Sequence, residues 1–428
     1  MPLNNKTRIN KKLEWGKYVS PLSDKNITPF NWYSFKHRFG SELVSKIFFM
    51  FGLSEGDSIF DPYCGGGTTL IKSKLDGYNA VGLDISPFST FLTNTLTKSY
   101  DANRLNKALK KISHKVNSKV DIPDVAILQK SFSDRTLQYI YSLKDSINSL
   151  SMPERDFFLF SLLRILDSAS KAKKSGGFLR ITDQKRVPLE VVKKMFVDSS
   201  EKLMSDIKTF KYTDTFTKAV IGDARDYPYE VKDKKYDAIL TSPPYPNRHD
   251  YTRIYELELL VGFIKDNKSL KNLRYETLRS HVEAKEKYKA DGYIRPMLLE
   301  KKIKELNKRE MNNSKVISTI DGYFEDMYLS LKEMANVLKP GGHIGLVVSN
   351  VRFAGVMIPV DELLTQIGTQ VGLENEGIYV LRYRGNSSQQ MGRHKREPAR
   401  ESLIVWGKLK ICNKRKKQQA SLNKSFTF

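Results

Sequence analysis

The sequence predicts an α/β fold with a mostly parallel sheet and helical insertions. Residues 57–98 alternate a strand, a glycine-rich turn, a helix and a second strand, which is half of an open parallel sheet. Residues 331–350 give a helix, a turn and a strand further along the chain. Apolar runs of strand length supply the remaining strands, at 218–226, 235–245, 377–384 and 400–408. The last two runs would form an antiparallel hairpin at the end of the sheet.

Two long stretches interrupt this alternation and divide the chain. Residues 101–213 are predicted as a helical insertion, because apolar residues recur there at helical spacing. Residues 246–319 are predicted as a second helical insertion, which is polar and basic. The N-terminal segment is 1–56, and the predicted catalytic core consists of 57–100, 214–245 and 320–408. Residues 409–428 form a basic tail that we expect to be disordered.

Charge and cysteine content narrow the function class. The 428 residues carry a formal net charge of +24, from 72 Lys and Arg against 48 Asp and Glu. Such a surplus favours a nucleic acid partner over a plain solvated surface. The two cysteines, Cys64 and Cys412, provide neither a disulfide framework nor a zinc site, so no metal is predicted. No apolar run approaches the length of a membrane span, and we expect a cytoplasmic protein without membrane contact.

Acidic residues end the first three predicted core strands. Asp61 precedes the turn 64–67, where glycines let a ligand approach the backbone closely, although the spacing matches neither the dinucleotide fingerprint nor the phosphate loop. Asp84 could accept both hydroxyls of a ribose, and Asp223 could accept from an adenine amino group. Each carboxylate alone could equally cap a helix or turn. Because parallel strands end at one edge of a sheet, the three together predict an adenosine site.

The run TSPPY, residues 241–245, ends the fourth core strand with two prolines. Neither proline has an N–H group, so the turn is stiff and presents carbonyl oxygens. The Pro243 carbonyl and the Ser242 side chain could accept the hydrogens of an exocyclic base amine while Tyr245 stacks on the base. The nitrogen lone pair would then point at an electrophile. The motif therefore predicts a site that holds an amino group for attack.

Together with Asp84, the runs DPYCGGGTTL (61–70), GDARD (222–226) and TSPPY resemble the motif set of S-adenosylmethionine-dependent DNA amino-methyltransferases. The serine of TSPPY resembles the cytosine-N4 members, and Gly66 stands where the family usually has Ser. The run 33–48 resembles the segment that holds the methionine end of the cofactor, so residues 1–56 are expected to pack on the cofactor site. The resemblance implies a class I, Rossmann-like methyltransferase fold with a mostly parallel seven-stranded sheet.

The resemblance also implies roles for individual residues. The cofactor S-adenosylmethionine would be held by residues of the N-terminal segment, the glycine turn and the strand ends, namely Phe39, Asp61, Tyr63, Gly65, Gly67, Thr68, Asp84, Ile85, Asp223 and Ala224. The catalytic residues would be Ser242, Pro243, Pro244 and Tyr245. Direct transfer to a flipped base needs no covalent nucleophile, so Cys64 is expected only to fill space.

Four basic residues are the candidate DNA contacts. Arg248 and Arg253 follow the TSPPY run, and Lys173 and Lys174 lie in the run SKAKKSGGFLR (170–180). These side chains could hold phosphates of the substrate strand. The alternatives are surface charges at a helix start and an ordinary helix exit with a glycine cap. Residues 246–319 are the candidate DNA-recognition region.

Three hypotheses about function remain open at this point. The first is methyl transfer to N4 of a flipped cytosine in double-stranded DNA, by the modification enzyme of a restriction-modification system with a cognate restriction endonuclease. The second is methylation of adenine N6 in DNA, or of a base in RNA, since the P-P-Y core is shared. The third is a basic DNA-binding protein with an inactive cofactor fold. We expect a monomer or weak dimer.

Overall fold

A computed structural model of the chain describes residues 8–113, 120–247, 249–310, 313–385 and 397–410. The strands are β1 (Ile9–Lys11), β2 (Ser58–Asp61), β3 (Asn79–Asp84), β4 (Ala172–Ser175), β5 (Phe178–Ile181), β6 (Thr217–Ile221), β7 (Tyr236–Thr241), β8 (Leu338–Ser349), β9 (Val351–Phe353), β10 (Val356–Ile358), β11 (Glu374–Arg384) and β12 (Ala399–Gly407). The α-helices are α1 (Ser41–Met50), α2 (Thr68–Leu75), α3 (Pro87–Leu96), α4 (Ala102–Ser113), α5 (Ala126–Ser131), α6 (Asp134–Asn148), α7 (Glu154–Ala169), α8 (Leu189–Asp206), α9 (Tyr229–Lys232), α10 (Tyr251–Ile254), α11 (Glu256–Gly262), α12 (Asn267–Glu276), α13 (Met297–Asn307), α14 (Lys315–Val337) and α15 (Val360–Gln370). Short 3₁₀ helices precede α1, at Leu13–Val19, Pro21–Asp24 and Phe30–Trp32.

The central sheet has the order β1-β11-β12-β8-β7-β2-β3-β6. Its neighbouring strands are parallel except around β12, which is antiparallel to both β8 and β11. From β2, the chain continues to β3 and β6 on one side and later to β7 and β8 on the other. This reversal confirms the predicted Rossmann-like class I fold and creates a switch point between β2 and β7, where open α/β sheets bind ligands. The three-residue strand β1 adds an eighth strand to the predicted seven.

The turn between β2 and α2 has a backbone that favours glycine. Gly65 and Gly67 have φ of +47° and +78°, in the left-handed region. A Cβ atom on Gly66 would lie 2.9 Å from the Phe35 side chain. The packing of Phe35 therefore gives a steric reason for the glycine at the position where the family usually has Ser.

Three apolar cores surround the sheet. The first core contains residues of the six helices α3 through α8 and aromatic residues of the N-terminal segment. It also contains apolar residues between 254 and 261, in and around α10 and α11. The second lies on one face of the sheet and includes α13, α14 and α15, with Leu278 before them. The third, on the opposite face, includes α1. Residues 246–319, predicted as one insertion, are thus divided between the first two cores, because their α11 is apolar enough to be buried.

The buried carboxylate of Asp326, in α14, joins the loop after β6 to the second insertion. Arg225 donates to it at 2.9 Å. Arg279 donates to it from its backbone N–H and its guanidinium, at 2.7–3.0 Å. Arg225 also donates to both carboxylate oxygens of Asp223. These bonds fix the position of Asp223 relative to residue 279.

Some predicted features lie outside the described residues, namely Arg248 and the tail from 411, including Cys412. Within the described ranges, no helix is long and apolar enough to cross a membrane. In those same ranges, no group of three or more His, Cys, Asp or Glu side chains is arranged to hold a metal ion.

Replacing Asp326 by Asn should destabilise the protein. The change would leave the buried guanidinium of Arg225 and that of Arg279 without their shared counter-charge, which costs about 3–5 kcal/mol in free energy of unfolding. Urea denaturation would measure the loss. Asp226→Asn, which removes a half-exposed pair with Lys232, is the control and should change stability by less than about 0.5 kcal/mol. Equal effects of the two substitutions would contradict a central role for Asp326.

Candidate active site

A pocket opens at the carboxyl edge of the sheet, at the switch point between β2 and β7. It contains about 950 Å³ of space, including the part open to solvent. Its lining includes eight residues predicted from the sequence: Tyr63, Gly65, Asp84, Ile85, Asp223, Ala224, Ser242 and Pro244. The predicted adenosine site and the predicted amine-holding motif therefore share one pocket.

Asp84, at the end of β3, is held by two backbone N–H groups. Ser86 donates to Oδ1 at 2.8 Å, and Gly65 donates to Oδ2 at 3.0 Å. Each oxygen keeps a lone pair, so the carboxylate can accept two more hydrogen bonds. Burial raises the pKa of Asp84 to about 6, although the two backbone hydrogen bonds lower it. This geometry fits a ribose with two adjacent hydroxyls.

Asp223, after β6, lies on another wall of the pocket. Burial acts to raise its pKa, but the hydrogen bonds and charge of Arg225 outweigh burial, so the net pKa is lowered. Lys287 lies 3.4 Å from the same carboxylate. Asp223 is thus ionised at neutral pH and acts only as a hydrogen-bond acceptor.

Asp61, at the end of β2, connects the two halves of the site. Its Oδ1 accepts from the Thr241 hydroxyl at 2.6 Å and from the Tyr63 backbone N–H at 3.1 Å. Burial raises the pKa of Asp61 to about 6, and these hydrogen bonds lower it. Asp61 does not line the pocket. Its hydrogen bonds hold the start of the glycine turn close to Thr241, the residue before Ser242.

The catalytic motif contains a directed chain of hydrogen bonds. The Ser242 hydroxyl donates to Tyr245 Oη at 3.3 Å, and Tyr245 donates to Glu401 Oε1, also at 3.3 Å. Glu401 lies on β12, is 3% exposed and accepts from Arg382 at 2.6 Å. Burial, and then the charge of Glu401, raise the pKa of Tyr245 well above its ordinary value, so its phenol keeps its proton. Because a carboxylate only accepts, the chain runs from Ser242 to Glu401 and leaves the serine lone pairs free.

Some predicted cofactor contacts lie away from the pocket. Phe39 packs in the third core, below the sheet edge. Thr68 and Gly67 begin α2, and a Cβ on Gly67 would meet Thr93 at 2.8 Å. Tyr63 does line the pocket, and its hydroxyl contacts that of Ser330 at 2.7 Å. These residues shape the turn, and Pro243 likewise is buried without lining the pocket.

The pocket also contains residues that sequence reasoning missed. Phe35 and Tyr255 stack with ring centroids 4.6 Å apart, and both line it. His37 lines it too, and its buried Nδ1 has no hydrogen-bond partner among the described residues. Burial, and then His249, lower the pKa of His37 to about 4, so the ring is neutral. The resemblance of the run 33–48 predicted that this segment contacts the cofactor, but it did not single out the side chains of Phe35 and His37. Tyr255 lies outside that run.

The second insertion supplies a further wall that was not predicted. Leu278, Ser280 and His281 line the pocket, and they come from the stretch that Arg279 ties to Asp326. No motif in the sequence marks this stretch, because its place in the site depends on packing against α14. The region predicted to read DNA therefore also contributes to the wall of the pocket.

The structure corrects one predicted DNA contact, Lys174. Its side chain is 3% exposed and lies 2.5 Å from Glu258 and 3.0 Å from Asp167. A buried lysine whose positive charge is paired with two carboxylates cannot hold a phosphate. The run around it is the hairpin β4–β5 and not a helix exit. Lys173 lies on the other face of that hairpin, and Arg253 is partly exposed between Asp250 and Glu283.

The comparisons with known proteins identify the family of the chain. The type II methyltransferase M.BsoBI from Geobacillus stearothermophilus is 32% identical over 92% of this chain and 88% of its own length. The chain belongs to the type II methyltransferases, a family of DNA methyltransferases. M.AvaI from Nostoc sp. is 28% identical over 94% of this chain and 91% of its own length. M.MvaI from Kocuria varians is 20% identical over 72% and 73%. No family model matches the chain.

A solved structure of a TehB-like methyltransferase from Corynebacterium glutamicum covers 92% of this chain and 98% of its own, at 9% identity and a TM-score of 0.31. The fold assignment depends on the strand order and not on that likeness. As a type II methyltransferase the chain is an enzyme, and its cofactor is S-adenosylmethionine, as the sequence predicts. The residues fit this cofactor, because Asp84 has free lone pairs where a ribose would bind and Gly65 leaves the backbone open to it.

The affinity for S-adenosylmethionine should depend on the protonation of Asp84. Hydroxyl donors favour the ionised carboxylate, so the cofactor should bind with full affinity above about pH 6 and about tenfold more weakly for each pH unit below it. Asp84→Asn should weaken binding about 10- to 100-fold at pH 7.5 and remove this dependence. Calorimetric titration between pH 5 and 8 would measure both effects. A pH dependence that persisted in Asp84→Asn would assign the proton to Asp61 instead.

Proposed function

We propose that this methyltransferase is site-specific and modifies N4 of cytosine in double-stranded DNA. The observation that carries the proposal is that Ser242 of TSPPY and Asp84 line the same pocket. S-adenosylmethionine would supply the methyl group, and Asp84 and Asp223 would hold its adenosine. The target base would leave the duplex to reach this pocket, as bases do in other enzymes that act on them.

The catalytic motif would orient the base by acceptors alone. Ser242 gives its hydrogen to Tyr245, so its oxygen is free to accept a hydrogen from the cytosine amine. The motif offers the Pro243 carbonyl for the other hydrogen, but Pro243 does not line the pocket, so Ser242 is the acceptor that the geometry supports. Positioning of this kind can supply about 7–11 kcal/mol of the barrier reduction. The sulfur–methyl bond would break as the bond to N4 forms, S-adenosylhomocysteine would leave, and N4 would release one proton to solvent.

Cys64 supports direct transfer rather than covalent catalysis. It is 4% exposed behind the glycine turn, and burial raises the pKa of its thiol well above the ordinary value. A protonated and enclosed thiol is a poor nucleophile. The described part of the chain thus supports transfer to the amine without an intermediate on the protein.

The biological setting belongs to the same proposal. The net charge of +24 and the partly exposed Arg253 support binding to a DNA duplex, with residues 246–319 as the candidate recognition region. Arg248 remains a candidate phosphate contact beside the motif. We propose that the enzyme protects DNA from a cognate restriction endonuclease, acts as a monomer or weak dimer, and works in the cytoplasm.

The proposed product is N4-methylcytosine. DNA methylated by the purified protein, digested to nucleosides and analysed by mass spectrometry, should contain N4-methyldeoxycytidine that is missing without cofactor. N6-methyldeoxyadenosine in its place would overturn the choice of base but not the methyltransferase. RNA methylated in preference to DNA would overturn the choice of substrate.

The hydrogen-bond chain predicts the effect of conservative changes. Tyr245→Phe removes the acceptor for the Ser242 hydrogen and should lower kcat about 10- to 100-fold, with cofactor affinity unchanged. Glu401→Gln should give a similar loss, and the double variant should lose no more than either alone. Single-turnover rates and calorimetry would measure these effects. Tyr229→Phe, at a tyrosine that is 80% exposed, is the control. Additive losses would show that Glu401 acts outside the chain.

A further inference from the structure

The hairpin β4–β5 has two unlike faces. Lys174 and Leu179 are paired across it and face inward, and Leu179 packs on the first core. The next pairs, Ser175 with Phe178 and Lys173 with Arg180, lie on the outer face because side chains alternate along a strand. Phe178 is 50% exposed at the two-glycine turn. The outer face thus carries an aromatic ring and two cations.

The two like charges on this outer face are unfavourable unless a binding partner neutralises them. Like charges directly opposite each other destabilise a strand pair, and Lys173 faces Arg180. Lys173 donates only to the Asp167 carbonyl oxygen, and among the described residues neither cation forms an ion pair with a carboxylate. An exposed ring next to two cations without carboxylate partners suits a partner with both phosphates and stacking surfaces, which is nucleic acid.

The inner face fixes the hairpin to the wall of the active site. The Lys174 ammonium lies 4.8 Å from the centre of the Tyr255 ring, and Tyr255 lines the pocket. The Lys174 carbonyl accepts from Lys36 Nζ at 2.7 Å, and Lys36 stands between Phe35 and His37, which also line the pocket. Strand β5 packs on α10, the helix that follows the catalytic motif. The turn with Phe178 therefore projects from the wall of the pocket that receives the base.

We propose that this hairpin inserts Phe178 into the duplex at the target base, while Lys173 and Arg180 hold the flanking phosphates. The proposal depends on the proposed function, since it concerns how the base leaves the stack. An aromatic ring that takes the place of the extruded base recovers part of the lost stacking and slows the return of the base.

The test is whether the enzyme still needs Phe178 when the base pair at the target is already weakened. The substrates are two duplexes with the recognition sequence identified in modified DNA, one fully paired and one with a mismatch opposite the target base. Phe178→Ala should lower kcat/KM about 10- to 100-fold on the paired duplex and less than about threefold on the mismatched one, where extrusion is easier. Phe216→Ala is the matched control, because Phe216 is also 50% exposed but precedes β6 at the opposite edge of the sheet.

Two further results separate insertion from simple contact. Lys173→Gln and Arg180→Gln should each reduce the salt dependence of the DNA Kd by about one counterion without changing the ratio between the two duplexes. Equal losses on both duplexes for Phe178→Ala, or no loss on either, would overturn the proposal. Wild-type protein that methylates neither duplex would instead contradict the proposed function.

Discussion

The hydrogen bond between Asp61 and Thr241 is the constraint on which the active site depends. It joins the ends of β2 and β7, the two strands between which the chain reverses its order across the sheet. The glycine turn follows one of these residues and Ser242 follows the other. A carboxylate that is 3% exposed keeps this bond because an unpaired buried acceptor would be costly. The pairing of β2 with β7 and this buried hydrogen bond together set the spacing between the cofactor side and the base side of the pocket.

The charges near the pocket differ from those of the whole chain. Asp61 is buried and Asp84 is half-buried, and desolvation raises the pKa of each to about 6. Of the three carboxylates, only Asp223 has a close cation, Arg225, that lowers its pKa. A cationic cofactor centre is favoured by such an interior, whereas the net charge of +24 of the whole chain favours attraction to a polyanion. The protein thus separates two electrostatic tasks, which a uniformly basic pocket would set against each other.

The sequence predicted the parts of the site that depend on strand ends. Asp84, Asp223 and Ser242 could be placed together because parallel strands all finish at one edge of a sheet. Phe35, His37 and Leu278 could not be placed, because they reach the pocket through helices and loops whose packing no local pattern records. Phe39 and Thr68 were predicted from motif position but serve the core and the start of α2. Lys174 failed for a related reason, since Glu258 lies 84 residues further along the chain and Asp167, although near in sequence, meets Lys174 only in the folded protein.

The burial of Lys174 explains how the hairpin holds its direction. Removing an ammonium from water is costly, and the cost is offset here by Glu258, by Asp167 and by the hydroxyl of Tyr33 at 2.9 Å. An apolar side chain of similar volume would fill the same space but would accept several orientations of the strands around it. Ion pairs and hydrogen bonds have fixed angles and therefore allow few orientations of these strands. The ionic cluster therefore fixes the orientation of the outer face relative to Tyr255, and a hairpin that must meet a duplex at one base requires that orientation more than it requires added stability.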